Sequence, residues 1–138
     1  MKFTLHRDPL LSSRWGGLMS TCAKHLQAAG AILNGFVRDT GEIQTLGFPV
    51  FSRGSFAQDQ GVRGKVLDYR VPISINHLTV QSGDLLFGDD EGVLVIPQAV
   101  EQEAIEKALE KANTENAVAD AIRDRMSAVK AFETFGVM

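Results

Sequence analysis

One cysteine, one tryptophan, one tyrosine and four prolines are all that this 138-residue chain holds of those types, and each scarcity closes a class. Cys22 has no partner, so an internal disulfide is excluded and a reducing, cytoplasmic setting is expected. It reads as a small core residue on the apolar stripe of a helix, with a catalytic thiol the weaker alternative because no histidine is spaced to serve it. His6, His25 and His77 stand far apart without ligand spacing, which argues against zinc. No apolar run approaches the ~20 residues of a bilayer span, and charges interrupt the stretch from Met1 to Leu11, so neither a membrane helix nor a signal peptide is expected. The 14 Lys and Arg residues are outnumbered by 17 Asp and Glu, for a formal charge of -3. That balance gives no footprint for nucleic acid. With 44% hydrophobic residues, the composition suits one folded domain with a single core.

What the chain does have is glycine in telling places. Trp15-Gly16-Gly17-Leu18-Met19 precedes a predicted helix over Leu18 to Ala29, with Leu18, Cys22 and Leu26 on one stripe and Gly30 as its stop. A glycine pair at a helix start lets a ligand reach backbone N–H groups that the helix cannot use, and such starts attract anions. The next segment, Ala31 to Val37, is short, apolar and partly β-branched, as in a buried strand of a parallel or mixed sheet. Arg38 and Asp39 fall at its end, where α/β sheets commonly carry their ligand sites. Arg38 offers a planar fork of donors to a carboxylate or enolate oxygen; Asp39 offers hard oxygens to Mg2+ or Mn2+. A divalent ion beside a 2-keto acid would stabilise the enolate left when a C–C bond breaks, with no need for a Schiff-base lysine. The plain alternative is a surface turn closed by a weak Arg-Asp ion pair.

Beyond the pair, a helical turn is expected at Glu42 to Leu46 and a strand at Phe48 to Phe51, with Pro49 at an edge or a beginning. The polar stretch from Ser55 to Arg63 reads as a connector rather than a site-edge loop. Strands are expected at Val66 to Tyr69, Val71 to Ile75 and Leu78 to Val80. Gly88-Asp89-Asp90-Glu91-Gly92 lies between apolar flanks and reads as a hairpin turn in preference to a metal loop, since its spacing is not that of an EF-hand. Past Pro97, two amphipathic helices meet near Thr114, and a tail helix from Ser127 to Phe135 carries Phe132 and Phe135 as anchors, with Ser127 as N-cap and Gly136 as stop.

The text Trp15-Gly16-Gly17-Leu18-Met19-Ser20-Thr21, Gly30 through Asp39, Gly47-Phe48-Pro49-Val50-Phe51 and Ser82 through Val93 resembles the RraA-like family in content and order. That family includes the regulator of ribonuclease activity A and the 4-hydroxy-4-methyl-2-oxoglutarate aldolases. The resemblance spans Trp15 to about Pro97, and divides the chain into an N-terminal extension (1–14), an RraA-like α/β core (15–97) and a C-terminal helical tail (98–138). It implies a swivelling β/β/α-type fold, a homotrimer or hexamer with sites between subunits, and a divalent metal, Mg2+ or Mn2+, used for aldol cleavage or oxaloacetate decarboxylation. By the same likeness, the backbone of Gly16, Gly17, Leu18 and Met19 would hold the keto-acid carboxylate, Arg38 would contact substrate as the catalytic residue, and Asp39 would hold the metal. Glu115 of a neighbouring subunit is the nearest counterpart of a glutamate that approaches the metal. Two departures qualify the likeness. The aldolases carry an aspartate, a candidate proton donor, where this chain has Gly17, which places decarboxylation ahead of aldol cleavage. Only Met1 to Arg14 precede the glycine bend, so a truncated copy with an uncovered apolar face is expected. The alternative to a lyase is a non-catalytic, protein-binding regulator or an inactive fragment.

Overall fold

The structure is a computed structural model that describes residues 12–61 and 66–136. The first eleven residues of the extension, the end of the 55–63 connector and Val137–Met138 lie outside the described residues. Among the described ones, no helix is long and apolar enough to cross a membrane.

Two units make up the chain, Met1–Val95 and Ile96–Met138. The first is built on parallel strand pairs of the kind a βαβ pattern produces. Strand β1 (Ser13–Trp15) leads through Gly16 into helix α1 (Gly17–His25), succeeded by β2 (Ala31–Ile32), β3 (Phe36–Val37), helix α2 (Thr40–Leu46) and β4 (Val50–Phe51). Strand β1 pairs with β3 and β2 with β4, both in parallel. Two hairpins complete the unit: β5 (Ile73–Ile75) with antiparallel β6 (Leu78–Val80), and β7 (Leu85–Asp89) with β8 (Gly92–Ile96). Trp15, Val37, Ile43 and Phe48 form the buried cluster, with Met19, Ala23, Leu33 and Val50 packed around it.

Several expectations are corrected. Helix α1 ends at His25, not Ala29, and Gln27 at φ 61° turns the chain away before Gly30 is reached. Its buried face is Gly17 and Ser20, while Leu18 is 83% exposed and Leu26 65%. Cys22 is exposed and is not a core residue. The stripe failed because α1 meets the core through Gly17, Met19, Ser20 and Ala23, a different face from that of Leu18, Cys22 and Leu26. The expected strand from Ala31 to Val37 is two strands. Asn34-Gly35 breaks it, which lets the chain leave β4 and join β1. No strand forms at Val66 to Tyr69, where Val66, Leu67 and Tyr69 are exposed. The acidic cluster does form a hairpin turn, in which Asp89 Oδ1 accepts from the Glu91 and Gly92 N–H groups at 2.9 and 3.2 Å.

In the second unit a single 3-10 turn at Gln98–Val100 leads into α3 (Glu101–Arg123), one continuous helix of 23 residues where two were expected. Neither Pro nor Gly stands at Asn113-Thr114, and the Thr114 hydroxyl donates to the Glu110 carbonyl within the helix (3.0 Å). Helix α4 (Ala128–Phe135) has the expected Ser127 cap, whose Oγ accepts from Lys130 N at 3.3 Å, and Gly136 at φ 72° ends it. Its buried anchor is Ala131, whereas Phe132 is 55% exposed.

Candidate active site

Parallel pairing explains why distant residues meet. Two parallel strands finish at the same edge, so the segments that leave β1 and β3 emerge side by side. The chain leaves β1 through the Gly16–Gly17 bend and leaves β3 through Arg38-Asp39. Arg38 N donates to the Trp15 carbonyl at 2.9 Å and fixes this register.

At the bend the glycines provide space rather than unusual torsions, for Gly16 has extended backbone at φ -152°. A Cβ there would stand 2.7 Å from Asp39 Oδ2 and 3.1 Å from Arg38 Nε. Asp39 holds a left-handed conformation (φ 58°, ψ 36°) and caps a helix other than its own. Its carboxylate makes no side-chain bond to α2, but Oδ2 accepts from Gly17 N at 3.0 Å, at the start of α1. Arg38 Nε lies 3.8 Å from the same oxygen, and its NH2 lies 3.6 Å from Asp59 Oδ2. Arg38 and Asp39 are each more than a third exposed, so these ion pairs orient side chains more than they stabilise the fold.

Beneath the bend runs a buried hydrogen-bond chain that sequence reasoning missed. Trp15 Nε1 donates to Ser20 Oγ at 2.7 Å, and that hydroxyl donates to the Gly16 carbonyl at 3.1 Å. The five-residue spacing from Trp15 to Ser20 across a helix start was the available signal.

A cavity of about 150 Å3 opens beside the bend, lined by Gly16, Leu18, Met19, Arg38, Asp59 and Gln60 among others. That is room for several waters or a small molecule. The Leu18 and Met19 N–H groups belong to the first turn of α1 and meet no described acceptor. Residues that carry unused backbone donors and a guanidinium therefore line one small space. Asp39 does not line the cavity but lies against Gly16 and Arg38, which do. The far wall comes from the stretch read as a connector. Ser13 N and Oγ both donate to the Gln58 carbonyl at 2.8 and 2.9 Å, and a parallel bridge joins Ser13 to Asp59. Gln60 Oε1 is buried there without a described partner. A larger open hollow of about 720 Å3, lined by Met19, Cys22, Leu26, Ile32, Phe51 and Val80 among others, is apolar and carries no charged side chain to orient an acid.

Glu115 belongs to the second unit, on α3, and is paired with Lys111 at 3.4 Å. Among the described residues no three His, Cys, Asp or Glu side chains group as a closed metal cage. Mg2+ does not require one, since it keeps several waters and binds through one or two carboxylates. Two carboxylates do flank the bend: Asp39 against Gly16, and Glu42, whose Cδ and Oε1 lie 2.5 and 2.8 Å from the place of a Gly17 Cβ. This hard-oxygen donor set fits Mg2+ or Mn2+ and not a thiophilic metal.

An α/β fold with a small cavity at a parallel-strand edge is the setting in which small-molecule sites occur. The chain belongs to the Aldolase/RraA family, whose model matches residues 6–95. It is 34% identical over 117 residues, 85% of its length, to a Halalkalibacterium halodurans protein named "Putative 4-hydroxy-4-methyl-2-oxoglutarate aldolase", of which it covers 55%. Its fold matches that of an uncharacterized Pseudomonas syringae protein with a TM-score of 0.87 at 29% identity, covering 93% of this chain and 61% of that one. A Streptomyces coelicolor member of the RNase ES inhibitor RraA protein family shares the fold at 24% identity, with a TM-score of 0.68 over 84% of this chain and 57% of that one. The chain thus spans little more than half the length of the aldolase relative.

Proposed function

We propose that the chain is a divalent-metal-dependent lyase acting on a pyruvate-like 2-keto acid, of the oxaloacetate decarboxylase type first and the 4-hydroxy-4-methyl-2-oxoglutarate aldolase type second. One observation carries this reading: Leu18 and Met19 of the first turn of α1 and Arg38 line the same small cavity, with Asp39 Oδ2 beside it at 3.0 Å from Gly17 N and 3.8 Å from Arg38 Nε. The Leu18 and Met19 N–H groups would receive the substrate carboxylate, using the donors and the positive end of the helix together. Arg38 would hold the carbonyl oxygen, and later the enolate oxygen, through donors preset by the β1–β3 register. Asp39 would hold Mg2+ or Mn2+, which when bound supplies positive charge against the developing enolate. Asp39 Oδ2 is engaged by Gly17 and Arg38, which would leave Oδ1 to serve as the ligand. A homotrimer or hexamer, with Glu115 approaching from a neighbouring subunit, is part of the same proposal.

The test is oxaloacetate decarboxylation with Mg2+ or Mn2+, with EDTA, and with Arg38→Ala and Asp39→Ala. Removing one preorganised charge-stabilising group should lower the rate by about 10²–10³-fold. EDTA should abolish the protein-dependent rate. Decarboxylation that ignores EDTA, or that survives both substitutions, would refute the lyase and favour the protein-binding regulator.

A further inference from the structure

One amide at the cavity beside the glycine bend is left unused by the rest of the protein. Gln60 lines that cavity with Leu18, Met19, Arg38 and Asp59. Its Oε1 is buried, and among the described residues no group donates to it. An acceptor shut away from water without a donor forfeits its hydration, and folded proteins keep very few such groups. The backbone around it is pinned. The Gln58 carbonyl accepts from Ser13 N and Oγ at 2.8 and 2.9 Å, a parallel bridge joins Asp59 to Ser13, and Asp59 Oδ1 accepts from Gly61 N. Asp59 Oδ2 also lies 3.6 Å from Arg38 NH2, so the segment is tied to β1 and to the guanidinium at once. Gln60 is thus presented at the cavity by neighbours that are themselves fixed.

The lining residues divide by hydrogen-bonding sense. Leu18 and Met19, through N–H groups that meet no described acceptor, and Arg38 bring donors; the Asp59 carboxylate and Gln60 Oε1 bring acceptors. A ligand built only of acceptors, such as pyruvate, satisfies the first set and leaves Gln60 unmet. A ligand with a carboxylate and a hydroxyl satisfies both. We propose that Gln60 is a specificity-determining residue whose Oε1 accepts a hydrogen bond from a ligand hydroxyl, so that the site prefers a short 2-keto acid hydroxylated on C3, beside the carbonyl, to the same acid without the hydroxyl; the proposal rests on the keto-acid reading of this cavity. The hydroxyl belongs on C3 because about 150 Å3 leaves no room for a long chain. The terminal amide turns about a soft sp³–sp² torsion, which lets the oxygen meet a bound hydroxyl without moving the pinned backbone. A polar group that only the right ligand can pair discriminates more strongly than an apolar wall does.

The experiment is isothermal titration calorimetry of the full chain, in Mg2+ buffer, with pyruvate and with 3-hydroxypyruvate, which differ by the hydroxyl alone. Wild type should bind hydroxypyruvate about three- to tenfold more tightly, the usual worth of one neutral hydrogen bond. Gln60→Leu, or Gln60→Met if the leucine variant is unfolded by far-UV circular dichroism, should bring the two affinities together without weakening pyruvate. Gln60→Glu keeps an acceptor beside Asp59 but adds charge; it should weaken both acids and retain the preference. A merely structural role for Gln60 would move both affinities equally and leave their ratio intact. Arg38→Ala should weaken both acids at least tenfold, which locates them in this cavity. Equal wild-type affinities, or a preference that survives Gln60→Leu and Gln60→Met, overturn this proposal alone. Wild type that binds neither acid, or binding indifferent to Arg38→Ala, overturns it together with the keto-acid reading.

Discussion

Ser20→Ala should be the most damaging single-atom change near the site, although Ser20 touches neither cavity nor charge. Its side chain is wholly buried and its hydroxyl accepts the Trp15 indole N–H at 2.7 Å, with Trp15 itself 7% exposed. Removing Oγ strands that donor in the core, which costs about 1–3 kcal/mol. The Gly16 carbonyl is not stranded, because Ser20 N still donates to it at 3.1 Å. The loss is therefore one orphaned group and a small void, about 2 kcal/mol, and for a chain of this size a fall in melting midpoint of roughly 8 °C. Trp15→Phe deletes the donor, so Ser20→Ala made in that background should cost under about 1 kcal/mol, a coupling of at least that size in a double-mutant cycle. Thermal unfolding monitored by far-UV circular dichroism reads all four proteins. Ser20→Ala within about 0.5 kcal/mol of wild type, or an equal cost in both backgrounds, would refute the view that this buried chain holds the bend in place.

At Asp39, two substitutions separate folding from chemistry. Asp39→Asn keeps an oxygen for Gly17 N and a side chain tolerated at positive φ, and should unfold within about 0.5 kcal/mol of wild type while losing Mn2+ binding by calorimetry. Asp39→Ala loses the cap and keeps the torsional strain, and should cost about 2 kcal/mol. Among the glycines, Gly30→Ala drives a Cβ to 2.9 Å from the Pro49 carbonyl oxygen at the β2–β4 pairing and should cost about 1–3 kcal/mol in urea unfolding. Gly41→Ala, in helix α2 with nothing within 4 Å, should instead stabilise by about 0.5–1 kcal/mol.

Local features were readable where local physics decides them. The Ser127 cap, the Gly136 stop and the 88–92 hairpin arise from side chains acting on their own backbone. The order of glycine bend, strand and Arg38-Asp39 was readable for a similar reason, because parallel strands joined through a helix end at one edge. Pairing partners were not. Nothing in Ala31 to Val37 reveals that its first half serves β4 and its second half β1, since that division is set by β1, many residues earlier. Asp59 and Gln60 were overlooked because an irregular segment held by two bonds to Gln58 and one bridge has no periodicity. Glu42 was visible only as a member of a helical turn. Its place over Gly17 depends on the angle between two helices, which no spacing encodes. The α1 stripe misled because hydrophobicity marks what can be buried, and here a neighbouring face carrying Met19, Ser20 and Ala23 took the interior.

Asp39 carries one further implication. A residue locked at φ 58° bears a torsional penalty that glycine would erase, so chance substitution to glycine relaxes the backbone and discards the carboxylate in the same stroke. Robustness and chemistry thus pull in opposite directions at a single codon. If the proposed reaction is this domain's role, copies released from selection for it should drift toward glycine there while keeping Trp15 and Ser20, a pattern that can be read across a set of sequences.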